Sequence, residues 1–503
     1  MSSAPADPTG SAQSSGGTAA EPELKHGAIG FIDALVIGLA STSPAYSLAA
    51  IIGALVALVG VYTPGVLLAS FVPMLLIASA FYYLNHSDPD CGTTFSWVTR
   101  AMGPWLGWLG GWAISMTGVL VIGSLADVAV RFGLRTFGLD ELAGSTPVVM
   151  VLTVLVILVM TAICVFGTEA SARLQNVLIL AQVVALLVFA VVALYRAATG
   201  DSPLEALTPS ITWLNPFAEG GAALTAGLLL GVFAYWGWES AVNLCEETTN
   251  SDSTPGRAAI VSTVVLLVTY VGVAYAVVAF AGTNFLAENE GEEEAIFALL
   301  GEQVLGGWDW LLLLAVATSA LASTQTTIIP ASRTGLSMAR RFALPHRLAH
   351  IHPRYRTPDV STWLVAGIAI GWYVLISLIS ENALFDSITA LSLLIAFYYS
   401  LTGIACAVYY RKQLLRSAKN LLLIGVGPLI GSVLLIWLLI RSISDLNDPE
   451  ASYSGVAWFG FGPPLVIGVG IFLVGVVFML FWRWHDARYW QERPSVAPEP
   501  HDR

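Results

Sequence analysis

Two short polar stretches interrupt long apolar runs of this sequence, and both carry groups that could bind a small charged molecule. The first stretch is Ser41-Thr42-Ser43-Pro44-Ala45. A proline inside a helix removes one backbone hydrogen bond and clashes with the preceding turn, so it predicts a break at this point. A helix that restarts after the break would offer free N–H groups at the positive end of its dipole, which favour a carboxylate. A simple proline kink, with the hydroxyls bonded to the preceding turn, is the alternative.

The second stretch contains Phe233, Ala234, Tyr235, Gly237 and Glu239. Gly237 permits a close approach between two backbones. A helix that ends in this stretch would leave carbonyl oxygens without partners, as would the helix that ends near Leu39–Ser41. Such carbonyl groups could bind an ammonium group. The two stretches together therefore predict a site for a zwitterion that needs no charged side chain.

Charged groups inside apolar runs are the next candidates, because a charge within a membrane is costly and marks function by default. Glu239 lies deep in its apolar segment, and burial favours the neutral form of a carboxyl group, so Glu239 could carry a proton. A structural hydrogen bond to a neighbouring helix is the alternative. Asp127 could bind a cationic group of a substrate, or it could pair with Arg131 four residues later. We predict neither a metal site nor a cofactor, because the four cysteines lie far apart.

The composition requires these groups to be positioned by membrane-spanning helices. Of the 503 residues, 56% are hydrophobic and only 11% are charged, whereas soluble domains carry about 25% charged residues. This excludes a soluble enzyme, a nucleic-acid-binding protein and a disordered scaffold. A spanning helix needs about 20 apolar residues, and the continuous runs do not show the alternation of a membrane β-barrel. We predict an all-α protein with about twelve spans at 29–56, 62–84, 104–132, 147–167, 174–197, 221–245, 258–282, 308–337, 361–380, 385–410, 420–440 and 461–483.

The distribution of positive charge predicts the orientation in the membrane. An even number of spans places residues 1–26 and 484–503, two polar segments that we expect to be disordered tails, on the same side. Of the 22 lysine and arginine residues, all but Arg131, Arg135, Arg196 and Arg441 lie on that side. Positive charge accumulates in cytoplasmic loops, so both termini are predicted to be cytoplasmic in a plasma-membrane protein.

The spacing of the two polar stretches predicts an internal repeat. They lie in the first and sixth spans, five helices apart, which is the separation that an inverted five-plus-five repeat produces. Paired interrupted helices at matching positions are typical of a substrate site at the membrane midplane. The repeat predicts a ten-helix core over residues 27–410, followed by two additional spans over 411–483.

Four stretches carry a resemblance to a known family. They are residues 41–46, Cys91–Trp112, Phe233–Arg257 and Met338–Pro358. These stretches resemble the amino acid–polyamine–organocation superfamily of secondary transporters over roughly residues 27–410. The resemblance implies the leucine-transporter-type fold, with the first and sixth helices broken.

The resemblance also implies roles for particular residues. It makes Phe233 an aromatic lid over the ligand, and it places Ser323 and Thr324 where sodium-coupled relatives bind an ion, although hydroxyls bonded within the helix are the alternative. Some proton-coupled relatives have a lysine in the fifth span. The aligned residue here is Gln182, and none of the predicted spans contains a lysine, so that route to coupling is in doubt.

The leading hypothesis is a secondary active transporter that takes up an amino acid or related amine with protons, by alternating access. An exchanger and a sodium-coupled carrier are alternatives within the same class. A membrane receptor that binds an amino acid without moving it is an alternative from another class. A membrane enzyme would need a nucleophile–base pair or a metal cluster inside the spans, and the sequence suggests neither. The expected partners are the substrate, a proton or Na⁺, and membrane lipid, with no nucleic acid.

Overall fold

The computed structural model of this protein describes residues 23–288, 293–379, 383–449, 452, 454 and 456–497. Residues 1–22, most of the predicted first tail, lie outside the described residues. The first half of the chain forms α1 (Phe31–Thr42), α2 (Pro44–Val59), α3 (Thr63–Ser87), α4 (Thr94–Met102), α5 (Pro104–Thr136), α6 (Asp140–Ala143), α7 (Thr146–Phe166), α8 (Thr168–Thr199), α9 (Gly221–Tyr235) and α10 (Ser240–Asn243). The second half forms α11 (Thr254–Glu288), α12 (Glu293–Leu305), α13 (Trp310–Arg340), α14 (Asp359–Ile379), α15 (Ala383–Tyr409), α16 (Ala418–Asn420), α17 (Gly427–Asp445) and α18 (Pro463–His485).

The prediction of an all-α membrane protein with about twelve spans is confirmed. Within the described residues, 11 helical segments are long and apolar enough to cross a membrane. The first of them, Phe31–Ser87, has 57 residues and would be about 85 Å long as one helix, whereas the apolar core of a bilayer is about 30 Å thick. It turns at Gly60–Tyr62 and therefore supplies two spans, which brings the total to twelve.

The first span is broken as the proline predicted. Helix α1 ends at Thr42 and α2 begins at Pro44, so Ser43 alone separates the two helices. Ser43 has a left-handed backbone with φ of 52°, and Pro44 occupies the first helical position of α2, where its missing N–H costs nothing. The change of backbone handedness at one residue is a true interruption, so the simple proline kink is wrong.

The sixth span is broken over a longer stretch. Helix α9 ends at Tyr235, and α10 begins at Ser240 after four non-helical residues. Gly237 has φ of 118°, a conformation that residues with a Cβ atom rarely adopt. Helix α10 is a single turn, and a short 3₁₀ turn at Cys245–Glu247 follows it.

Long helices surround the two broken spans. Helix α13 packs along α5, α7 and α8, and α11 packs along α3 and α8. The broken helices fit between them, since α1 contacts α8, α11 and α13, and α2 contacts α9 and α11. The last two spans lie outside this group, where α17 packs on α15 and α3 and α18 packs on α15 and α5.

Both described chain ends lie on one face of the bundle, which we call the terminal face. Leu24 packs in a cluster with Cys91 and Leu336, and Tyr489 packs in a cluster with Met338. Leu336 and Met338 belong to the same end of α13, so the two chain ends are neighbours. This arrangement agrees with an even number of spans.

The expectation of a disordered C-terminal tail is wrong for its described part, residues 484–497. Tyr489 is 1% exposed, and Trp490 packs against Trp105 with ring centroids 5.0 Å apart. Aromatic anchors of this kind bury enough apolar area to order a polar segment. Residues 498–503 lie outside the described residues.

Candidate functional site

The start of α2 presents main-chain donors beside a set of hydroxyl groups. Pro44 has no N–H, and the N–H of Ser47 donates to Ser43 O at 2.8 Å, which leaves Ala45 and Tyr46 as the N–H donors of this turn. The Tyr46 N–H is 3.5 Å from Ser319 Oγ on α13, and Ser43 Oγ is 2.9 Å from the same oxygen. The turn therefore combines a positive helix end with hydroxyl groups, a suitable setting for a carboxylate.

The end of α1 is already engaged in hydrogen bonds. The Ser43 N–H donates to Leu39 O and Ala40 O, both at 3.2 Å, and Thr42 Oγ1 donates to Leu39 O at 2.8 Å. Ser323 Oγ on α13 donates to Ser41 O at 2.8 Å. A carbonyl oxygen has two lone pairs, so Ser41 O retains one acceptor position for a ligand.

The two breaks contact each other directly. A Cβ atom at Gly237 would lie 2.7 Å from the carbonyl carbon and oxygen of Ser41, so only glycine fits at this position. Ser41 Oγ and Ser240 Oγ are 2.7 Å apart, in a hydrogen bond that joins α1 to α10. The structure thus brings together the residues around Ser41–Ala45 and those around Gly237.

Carbonyl groups near the second break also have partners within the protein. The Trp236 N–H donates to Phe233 O at 3.0 Å, and the Tyr270 hydroxyl donates to Ala234 O at 2.7 Å. Tyr235 is fully buried and packs edge-on against Tyr270 with centroids 5.0 Å apart. The end of α9 is therefore fixed by α11 rather than left free to adapt.

Glu239 lies in a closed hydrogen-bond network and is 2% exposed. The hydroxyl groups of Tyr398 and Tyr399 on α15 donate hydrogen bonds to Glu239 Oε1 and Oε2, respectively, both at 2.5 Å. The Gly237 N–H donates to Glu239 Oε2 at 3.1 Å, and Trp236 Nε1 donates to the Tyr398 hydroxyl. The buried carboxylate thus links the second break to α15.

Sequence reasoning did not identify the two tyrosines as part of the site. Tyr398 and Tyr399 stand in an apolar run that gives no local sign of their partner 160 residues earlier. The chemistry of the residues could have indicated the contact. A buried tyrosine hydroxyl usually has a hydrogen-bond partner, and a carboxyl group within the spans, such as Glu239, needs donors.

Phe233 is buried near the first break. It is 3% exposed, and its ring packs edge-on against Tyr46 with centroids 6.3 Å apart. The Tyr46 hydroxyl lies 3.1 Å from Ser124 Oγ on α5. Phe233 therefore bridges α9 and α2, and its role as a lid stays a prediction.

Asp127 is engaged in an ion pair, as the second of its two predicted roles requires. Arg131 Nε donates to Asp127 Oδ1 at 2.6 Å, and the Tyr373 hydroxyl donates to Asp127 Oδ2 at 2.5 Å. Arg131 also donates to Ala143 O at 3.0 Å, which ties α5 to the short helix α6. Both oxygens of Asp127 are therefore occupied by neighbours on the scaffold.

Ser323, Thr324 and Gln182 differ in their surroundings. Ser323 reaches the first break through Ser41 O, whereas Thr324 Oγ1 donates to Ala320 O at 2.8 Å within α13. Gln182 on α8 is fully buried, and among the described residues neither its amide nitrogen nor its oxygen has a hydrogen-bond partner. Thr324 thus makes the hydrogen bond within its own helix that we considered as the alternative to an ion site.

Comparison with known proteins assigns the family. The sequence profile described as "Amino acid permease" matches residues 29–482. An uncharacterized transporter of Mycobacterium tuberculosis is 30% identical over 348 residues, which are 68% of this chain and 72% of the relative. The human Asc-type amino acid transporter 1 is 25% identical over 80% of this chain and 72% of its own length.

A third relative carries a different substrate in its name. The methylthioribose transporter of Bacillus subtilis is 24% identical over 81% of this chain and 83% of its own length. The family profile covers both broken helices and all the residues of the site described above. Because that match extends over nearly the whole multi-pass membrane protein, the chain belongs to the amino acid permease family.

Proposed function

We propose that this protein is a secondary active transporter that takes up an amino acid or related amine across the plasma membrane by alternating access, coupled to protons. One observation carries the proposal, namely the contact between Gly237 and the Ser41 peptide. It places the N-terminal turn of α2 beside the interrupted end of α9, at the same depth of the bundle. A substrate that carries both an anionic and a cationic group fits such a pair of helix ends.

Each end of the substrate has its own partners in this proposal. The N–H groups of Ala45 and Tyr46, with the hydroxyl of Ser43, bind the carboxylate. The remaining lone pairs of carbonyl groups around Ser41 and Ala234 bind the ammonium group. Phe233 covers the ligand from the α9 side. The site then recognises the part that all amino acids share, and the surrounding aromatic rings select the side chain.

Glu239 is the group that carries the coupling proton in this proposal. An ionised carboxylate only accepts hydrogen bonds, whereas a protonated one must also donate. The Gly237 N–H can only donate, so a proton on Glu239 requires Tyr398 or Tyr399 to turn its hydroxyl away or to become an acceptor. Protonation therefore changes the link between the broken sixth span and α15, which couples charge to conformation.

The proposal of a proton as the coupling ion rests on Glu239, and the contacts of Ser323 and Thr324 are compatible with either ion. The hydroxyl of Ser323 already donates to Ser41 O, and that of Thr324 donates within its own helix. Because each hydroxyl donates its proton in these bonds, the oxygen lone pairs are left for a ligand, and uptake under separate proton and sodium gradients decides between the two ions. An exchanger would use the same substrate site, so only a transport experiment distinguishes it.

The proposed transport cycle uses an inverted repeat of five spans within residues 27–410, with the spans in 411–483 outside it. The terminal face is cytoplasmic in this proposal, because nearly all lysine and arginine residues lie on that side. Two interrupted helices at corresponding positions support the repeat, since this is the arrangement in which one half rocks against the other around a central site.

Uptake into proteoliposomes tests the function. A panel of labelled amino acids, polyamines and methylthioribose is offered under an inward proton gradient, an inward sodium gradient, or no gradient. We expect accumulation of at least one amino acid under the proton gradient alone. Accumulation driven only by internal substrate would identify an exchanger, and accumulation driven by sodium would identify a sodium-coupled carrier. Saturable binding without accumulation would contradict transport and favour a receptor.

A further inference from the structure

The C-terminal segment 486–497, which we call the C-terminal strap, lies across the terminal face. Its main anchor is Tyr489, whose hydroxyl lies 2.8 Å from Thr99 Oγ1 and donates to Pro104 O at 2.9 Å. The ring of Tyr489 stacks on Phe95 with centroids 5.5 Å apart. These contacts fix the strap to α4 and to the first turn of α5.

The rest of the strap reaches two further elements. Glu492 pairs with Arg341, at the end of α13, with a distance of 3.3 Å. The Ser495 N–H donates to Arg100 O of α4 at 2.6 Å, and the Ala497 N–H donates to Tyr409 O of α15 at 3.0 Å. One short segment therefore joins α13 and α15 to α4, which lies far from both of them in the chain.

The residues before α4 hold the second half of the broken sixth span. Asn243 Nδ2 donates to Cys91 O at 3.0 Å and to Thr93 Oγ1 at 3.1 Å. The Cys91 N–H donates to Glu246 Oε1 at 3.1 Å. Glu246 in turn pairs with Arg340 of α13 at 2.7 Å. The loop that carries Cys91 is thus a wedge between α10 and α13.

A buried ion pair lies behind this wedge. Arg333 of α13 and Glu247 are 3.0 Å apart, with side chains that are 1% and 0% exposed. In the protein interior neither charge is solvated by water, so each depends on the other for its stabilisation. A path from the site around Ser41 to the terminal face that runs between α10 and α13 would displace the wedge and separate this pair.

We propose that the C-terminal strap holds the wedge in place and so keeps the terminal face of the protein closed. If the protein works by the proposed alternating access, release of the strap lowers the barrier to opening toward the terminal side. Only this consequence rests on the proposed function. The contacts of the strap exist whether or not a substrate is transported. Tyr489 and Glu492 are positioning residues, because they act through α4 and Arg341.

The native Cys91 can report on the opening of the contact between α10 and α13, which we call the seam. It is fully buried, and its thiol lies 3.6 Å from Arg333 O. The test uses a variant in which Cys164, Cys245 and Cys406 are replaced by alanine, so that only Cys91 reacts. Inside-out vesicles are treated with a membrane-impermeant maleimide, and the labelling rate is compared with and without Tyr489→Phe, Glu492→Gln, and both together.

We expect each strap variant to raise the labelling rate of Cys91 by about fivefold, the effect of one lost hydrogen bond on an opening equilibrium, and the double variant to raise it further. Asp201→Asn is the matched control, because it removes another arginine–carboxylate pair, Arg196–Asp201, far from the strap. A second background that keeps only the buried Cys406 reports unfolding. Equal acceleration of Cys91 and Cys406 would mean general destabilisation, and an unchanged Cys91 rate would overturn the proposal.

Hydrogen exchange provides a measurement that needs no cysteine replacement. In the otherwise native chain, Tyr489→Phe and Glu492→Gln should accelerate amide exchange in α4 and in residues 241–247, with α7 unchanged. Faster exchange in α4 alone would show that the strap stabilises its own contact surface without holding the seam, which would also contradict the proposal. Neither measurement depends on transport, so a failure of the proposed function would leave the strap test intact.

Discussion

Gly237 of the sixth span lies directly against the peptide that Ser41 contributes to the first span. A Cβ atom at Gly237 would be 2.7 Å from two main-chain atoms of Ser41, so the contact admits no side chain. The positive φ of Gly237 sets a second constraint of its own. The two breaks are therefore a single structural unit, and the site depends on their close approach.

Gly237→Ala is expected to abolish substrate binding. The backbone conformation alone would cost about 1–3 kcal/mol, and the overlap with Ser41 would push the two breaks apart. Gly272→Ala is the matched control, because no atom lies within 4 Å of the Cβ position at Gly272 in α11. Binding of a labelled substrate to the purified proteins measures the effect, and equal affinity of the two variants would contradict the role of the contact.

Glu239→Gln is expected to abolish proton-driven accumulation while counterflow of substrate is partly retained. The carboxamide places an NH₂ group among donors, and the Gly237 N–H cannot become an acceptor to accommodate it. Tyr399→Phe is the companion variant, since it removes one donor from Glu239 but keeps the carboxyl group. It should shift the pH dependence of uptake, and an unchanged pH profile in both variants would remove Glu239 from the coupling role.

The architecture could be predicted from the sequence because it depends on local properties. Continuous apolar runs fix the spans, and Pro44 predicts the first break without help from any distant residue. Gly237 indicates the second break for the same reason, since a glycine among bulky aromatic residues is typical of a point where two backbones approach closely.

The partners of the polar groups could not be predicted, because they come from distant parts of the chain. Tyr399 and Glu239 are 160 residues apart, and Tyr489 and Thr99 are 390 residues apart. The polar composition of the strap predicts disorder. Its order depends on the pocket that Phe95, Thr99 and Pro104 provide, which is visible only after the chain has folded.

Phe233→Ala is expected to weaken the apparent affinity for substrate, because it removes the ring that packs on Tyr46 at the first break. The loss of a buried aromatic side chain also costs stability, about 3–5 kcal/mol. Phe233→Leu is the comparison that keeps most of the volume. Apparent affinity from the concentration dependence of uptake should fall in the order Phe, Leu, Ala, and an unaltered value in the alanine variant would discard the assignment of Phe233 as a lid.

Asp127→Asn is expected to destabilise the protein without changing its affinity for a substrate that has a neutral side chain. Asp127 is buried and paired with Arg131, so its neutralisation weakens this ion pair and lowers the free energy of unfolding. Thermal unfolding measures the first effect and the concentration dependence of uptake measures the second. If Asp127 instead binds substrate, Asp127→Asn will weaken affinity in molecules that have remained folded.

Asp88→Asn is expected to remove part of the pH dependence of stability. Asp88 lies in the loop between α3 and α4, where burial raises the pKa of its carboxyl group to about 6 in spite of the nearby Arg100. Among the described residues its Oδ2 atom has no hydrogen-bond partner, which disfavours the charged form. The folded protein therefore binds this proton more tightly than the unfolded chain, in which the pKa is about 3.9.

The sign of the Asp88 effect follows from proton linkage. Asp88 contributes stability that is fully present below about pH 4 and is lost as the pH rises through 6, and its contribution to the free energy of unfolding should fall by up to about 3 kcal/mol over that range. Thermal or denaturant unfolding at pH 4.5 and pH 7 measures the change, and the difference between the native protein and Asp88→Asn isolates it from the other carboxyl groups of the terminal face. If the Arg100 pair dominated instead, Asp88→Asn would lower stability at pH 7 more than at pH 4.5, which is the opposite order.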